Sequence, residues 1–156
     1  MQTFSGMQRD SFNFNDIVRC VAFLALFIVY ESLSTIYYFL PPLFGFCFAL
    51  AAVKKEPRFM WAVIVYILFY ESEHSLITGS GALFLYIFIK YIMPVLEDFI
   101  MSRYVIMIIA VLFAYFGYYI FINALYFVFG ANTISFSWFL IYYAAIEATI
   151  AVIVLD

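Results

Sequence analysis

From position 104 to 129 the sequence reads YVIMIIAVLFAYFGYYIFINALYFVF, with no charged side chain. A helix needs about 17–25 mostly apolar residues to cross the hydrocarbon core of a bilayer, and this run is long enough by itself. It is not isolated. Apolar segments at 17–33, 40–54, 59–73, 78–96 and 134–155 flank it, separated by short polar stretches. Hydrophobic residues make up 69% of the chain and charged residues 11%, against roughly 45–50% and about 25% in an ordinary soluble domain. A soluble fold of this size still exposes about a third of its surface, and this chain lacks the polar residues to cover it. The expectation is an all-α, polytopic membrane protein with six transmembrane helices in one bundle over 17–156. A short cytoplasmic segment, 1–16, precedes it.

Local signals refine the helix ends. The start, MQTFSGMQRDSFNFND, has no basic region running into an apolar stretch with a small-residue cleavage site, so no cleaved signal peptide is expected. Asn15 or Asp16 can cap the first helix. Pro41 and Pro42 suit the opening of the second, where a missing N–H costs least. Pro94 is placed to kink the fourth. Cys20 and Cys47 both fall in apolar spans and read as buried thiols.

Charge placement predicts orientation. Arg9, Arg19, Lys54, Lys55, Arg58, Lys90 and Arg103 all fall on or toward one face of a six-span chain. The excess of basic residues in cytoplasmic loops makes that face the inner one, with both termini inside. The 21 Phe and 14 Tyr recur throughout, which suits packing and interfacial anchoring.

Two stretches echo each other: VYESLS (29–34) and FYESEHS (69–75) each close an outward-going helix. A duplicated helical hairpin would produce this pattern. The second stretch belongs to YESEHSLITGSG (70–81), which holds the only histidine. No second histidine or nearby cysteine completes a zinc set around Glu71, Glu73 and His74. A serine–histidine pair needs its base presented from another element, whereas His74 lies six residues before Ser80. The stretch is therefore expected to be a solvated turn. No Walker or dinucleotide pattern occurs, and neither an enzyme activity, a metal, a cofactor nor a nucleic-acid partner is expected.

Charges within the spans are costly, so each calls for a reason. Lys90 and Glu147 lie at similar estimated depth, about 18–20 Å along helices that both run inward. Either they form an ion pair, or Lys90 snorkels to the interface while Glu147 sits in a small cavity or holds a proton. Ala144, Ala148 and Ala151 recur at helical spacing beside Glu147, marking a close-packing face.

Between Thr35 and Ile100 the chain resembles the bacterial rod-shape-determining MreD family. That family opens its second helix with a proline and ends its third with an acidic residue before a glycine-containing turn. In FLPPLFGF, Pro41 or Pro42 takes the proline place; Glu71 takes the acidic place and Gly79 that of a turn glycine. Ser75 and Ile67 stand where the family often has glycine. The resemblance implies a non-enzymatic scaffold of the cell-elongation and peptidoglycan-synthesis machinery in the bacterial inner membrane. Its partners would be MreC and, through it, MreB and wall-synthesis enzymes. The family is also similar in fold to substrate-binding subunits of energy-coupling-factor transporters. The alternative is thus a small-molecule-binding subunit of a vitamin-type transporter, which would need a concave site with convergent polar groups.

Overall fold

The computed structural model describes residues 14–54 and 57–155, and all regular structure among them is helical. The chain order is α1 (Phe14–Ile36), α2 (Phe44–Val53), α3 (Pro57–Glu73), α4 (Ser80–Ile87), α5 (Met93–Phe99), α6 (Arg103–Leu112), α7 (Tyr118–Val128) and α8 (Phe139–Leu155). A π-helical turn, Phe88–Ile92, joins α4 to α5, and a second, Phe113–Gly117, joins α6 to α7. The expected N-terminal segment lies, up to residue 13, outside the described residues, as do Arg9 and Lys55.

Arg103–Val128 forms one continuous helix of 26 residues, long and apolar enough to cross a membrane. At 1.5 Å per residue it measures about 39 Å. Cys20–Ile36 and Phe139–Leu155 are apolar but shorter. α2 has only 10 residues, about 15 Å, half the thickness of a hydrocarbon core.

α2 organises the bundle. Its sequence, FGFCFALAAV, is apolar all round, the signature of a helix enclosed on every side. Every residue from Phe44 to Ala52 is buried. α3, α6 and α8 pack around it, and α1 lies against α3. Phe44, Phe48, Phe84 and Phe88 fill the centre, with ring centroids 5.2–5.7 Å apart along the series. Along the long helix, Ile106, Met107, Ala110, Val111, Ala114, Tyr115, Tyr118 and Ile122 are buried. Gly117, in its π turn, lets Phe84 approach: an added Cβ would lie 2.9 Å from the Phe84 ring.

Several helix ends differ from expectation. α1 is already helical at Phe14, so Asn15 and Asp16 lie in its first turn rather than ahead of it. Pro41 and Pro42 are buried but precede α2, which opens at Phe44 after Leu43 adopts a left-handed conformation (φ 30°). Pro94 falls at the start of α5, directly after the π turn. Lacking an N–H, it cannot extend the α-helical ladder from the preceding turn, and the change of register is accommodated there. α8 starts at Phe139 rather than 134. Asn123 holds the intervening loop: its side chain accepts from Ile134 N (2.7 Å) and donates to Tyr119 O (2.9 Å).

Candidate functional site

Three glutamates, Glu31, Glu71 and Glu147, are fully buried among the described residues. They come from α1, α3 and α8, and their partners explain why an apolar fold keeps them. A helix start leaves backbone N–H groups without intrahelical partners. Where no water reaches, each such group costs several kcal/mol. α2 and α4 both begin behind residues that offer no side-chain acceptor, Leu43 and Gly79 (φ +92°). A glutamate carboxyl group from another helix supplies it in each case.

For α4 the donor set is complete. Glu71 Oε2 accepts from Gly79 N (2.7 Å), and Oε1 accepts from Gly81 N, from the Ser80 hydroxyl (2.6 Å) and from the Tyr118 hydroxyl (3.0 Å). For α2, Glu147 Oε2 accepts from Phe46 N (2.8 Å) and Oε1 from the Tyr115 hydroxyl. In both helices the second residue is glycine, and in both the space is needed. A Cβ on Gly45 would lie 3.0 Å from Glu147 Oε2, and one on Gly81 3.1 Å from Glu71 Oε1.

Glu31 is placed differently. The Tyr66 hydroxyl bridges Glu31 Oε2 (2.6 Å) and the Pro42 carbonyl (2.7 Å), tying α1 and α3 to the segment that enters α2. Glu31 Oε1 is buried without a hydrogen-bond partner, 3.9 Å from His74 Nδ1. The His74 ring lies against Tyr70, centroids 4.3 Å apart, and its Nδ1 is 3.0 Å from Tyr70 O.

Beside this network lies a cavity of about 450 Å³. The end of α3 and its following turn, the α6–α7 helix, the loop at 129–138 and the first turn of α8 enclose it. Tyr70, His74, Tyr115, Tyr118, Tyr119 and Tyr126 contribute most of its polar wall, and Asn132, Ser135 and Ser137 stand at its exposed rim. Among the described residues, no lysine or arginine lines it.

Against this geometry, one sequence expectation needs correcting and one open alternative is decided. Glu71 does not belong to a solvated turn: Glu73 and His74 are exposed, but Glu71 points inward and closes α4. Lys90 and Glu147 do not pair. Lys90 is exposed, donates to the Tyr86 hydroxyl (2.9 Å) and sits 5.3 and 5.4 Å from the Tyr86 and Tyr91 ring centroids. Glu147 instead addresses α2. Ala144, Glu147 and Ala151 are buried and Ala148 is half-buried, on the face α8 turns to α2 and α6. Among the described residues, no cluster of three His, Cys, Asp or Glu has a metal-holding arrangement.

Tyr66, Tyr115, Tyr118 and Gly45 escaped the sequence reading, and Gly81 entered it only as part of the 70–81 turn. Nothing distinguished them among many tyrosines and apolar neighbours. Glu31 left a trace only through the VYESLS echo. No family model, curated protein or solved structure matches the chain.

Proposed function

We propose that this protein is a non-enzymatic, multi-pass scaffold of the bacterial inner membrane, serving the cell-elongation machinery. In this reading six helical passes place both termini and the 54–58 connection in the cytoplasm. MreC is the direct partner, with MreB and wall-synthesis enzymes reached through it. The observation that carries the reading is the Glu71 cap on α4. The positions that underlie the MreD resemblance, an acidic residue ending one helix and a glycine turn into the next, here form one hydrogen-bonded joint between Glu71 and Gly79–Gly81. Such a joint makes a rigid hairpin, which suits a scaffold. Exposed apolar side chains along α1, α3, α6 and α8, such as Leu26, Trp61, Ile108 and Ile153, support a lipid-facing surface. Tyr38, Phe39, Trp138 and Tyr142 gather at one end of the bundle in the manner of an interfacial aromatic belt.

Crosslinking in cells, followed by purification of the tagged protein and mass spectrometry, tests the partner. Recovery of MreC above a tagged membrane-protein control is expected, and its absence overturns the assignment. Single cysteines at positions 55 and 74, in a background without Cys20 and Cys47, test the orientation. An impermeant reagent outside the cell should label position 74 and spare 55; the reverse pattern overturns the topology.

The cavity favours a second reading, a small-molecule-binding membrane subunit of the vitamin-transporter type. It is concave and brings polar groups from three parts of the fold together, as ligand sites do.

A further inference from the structure

We propose that the cavity between α3, the α6–α7 helix and the 129–138 loop binds an organic cation, with the tyrosine rings as its walls. The proposal rests on the small-molecule reading and adds the chemical class of the ligand.

Volume alone says little about the ligand; the sign of the lining says more. Five tyrosine rings face one space of about 450 Å³. An aromatic face carries partial negative charge and attracts a cation held within about 6 Å of its centroid. The hydroxyls of two of these rings are directed away from a ligand, toward carboxyl groups. Tyr115 donates to Glu147, and Tyr118 donates to Glu71. Tyr119 donates to the Ile134 carbonyl (3.0 Å), which fixes the loop that closes the cavity. These three hydroxyl protons are therefore committed within the fold, so Tyr115, Tyr118 and Tyr119 meet a ligand with aromatic ring rather than with a free O–H donor.

The third buried glutamate adds to the same bias. Glu31 Oε1 is an unpartnered acceptor 3.9 Å from His74 Nδ1, and His74 is itself a wall of the cavity. All three buried glutamates thus stand directly behind a residue of the lining. Among the described residues, no lysine or arginine opposes them there. Arg103 opens α6, fifteen residues before Tyr118, which is roughly 22 Å at the rise of an α-helix. Among the described residues, acceptors and aromatic rings gather around the cavity without a lysine or arginine in its wall. Among the described residues an anionic ligand would find no lysine or arginine there, whereas a quaternary or protonated amine would meet aromatic rings and carboxyl oxygens.

The test compares acetylcholine with its uncharged isostere, 3,3-dimethylbutyl acetate, which has nearly the same shape. Binding of each to the purified protein in nanodiscs is measured by calorimetric titration. The cation is expected to bind saturably and at least about tenfold more tightly than the isostere. Tyr126→Leu removes one wall. Ser135→Arg places a positive charge at the exposed rim. Each is expected to weaken the cation at least about tenfold while leaving the ligand-free unfolding temperature near that of the parent. Equal binding of the two probes overturns the cation assignment but leaves a small-molecule site in place. Binding of neither overturns both. Cation binding unaffected by both variants places the cation elsewhere and overturns the proposal for this cavity.

Discussion

The α1–α2 and α3–α4 hairpins each carry Tyr-Glu-Ser near the end of the first helix, and both glutamates are fully buried. Their fates differ. Glu71 lies ten residues before Gly81 and reaches the start of its own following helix. Glu31 lies thirteen residues before Phe44, beyond a connection stiffened by Pro41 and Pro42. It reaches only the Pro42 carbonyl, through Tyr66, and one oxygen stays unpartnered. The cap on α2 comes instead from Glu147, 101 residues away from Phe46 in sequence. The length of a turn therefore decides whether a buried acid closes its own hairpin. When it cannot, a distant helix has to close it.

The largest effect is expected at Glu71. Substitution by alanine leaves Gly79 N and Gly81 N without their acceptor and the Ser80 and Tyr118 hydroxyls, 2.8 Å apart, with only each other. Removing one side of a buried charged contact typically costs about 3–5 kcal/mol. Denaturant or thermal unfolding in detergent should show a loss of this size for Glu71→Ala. A loss no greater than that of Glu31→Ala would erase the distinction between the hairpins.

Next come the glycines that let the acids approach. Gly45→Ala would put a Cβ 2.8 Å from Val111 Cγ1, 2.9 Å from Tyr115 Cε2 and 3.0 Å from Glu147 Oε2. Gly81→Ala would put one 2.7 Å from Ile67 Cγ2 and 3.1 Å from Glu71 Oε1. Overpacking at such sites costs about 1–3 kcal/mol. The same unfolding measurement should rank Gly45→Ala as the more damaging, since three walls must give way rather than two.

A smaller loss is expected from Glu31→Gln. The amide oxygen keeps the Tyr66 contact, and little is lost at an oxygen that had no partner. The change should amount to about 1 kcal/mol or less, the net value of an ordinary hydrogen bond. A loss matching that of Glu71→Gln would mean that both hairpins depend equally on their acids.

The smallest effect tests the charges further down the bundle. Lys90→Met and Glu147→Gln should behave independently in a double-mutant cycle, with coupling below about 0.5 kcal/mol. Coupling well above that would mean the two side chains meet after all, and α2 would need another cap.

Much of the fold was legible before any coordinates. Apolar runs marked six helical segments, and the short second one overlaps α2. The alanines beside Glu147 indicated the face that packs. What could not be read was the destination of each polar group. Glu71 stood beside Glu73 and His74 in a polar stretch and looked equally wet. Only its direction, back across the turn to Gly79 and Gly81, separates it from them. Likewise Lys90 and Glu147 matched in depth, but depth along two helices does not fix the angle at which each side chain leaves its axis.

The sequence by itself determined that this chain is helical and too apolar for an ordinary soluble fold, because those properties follow from composition and from the spacing of near neighbours. It also set where the chain must turn, through Pro41, Pro42 and Gly79. Only the tertiary structure decided that α2 is enclosed, that Glu147 caps it, and that five tyrosines from α3, α6–α7 and their connections share one cavity. A short apolar helix leaves unpaired N–H groups that local residues cannot satisfy. Which distant acid serves them depends on how the helices pack, and no local pattern records that.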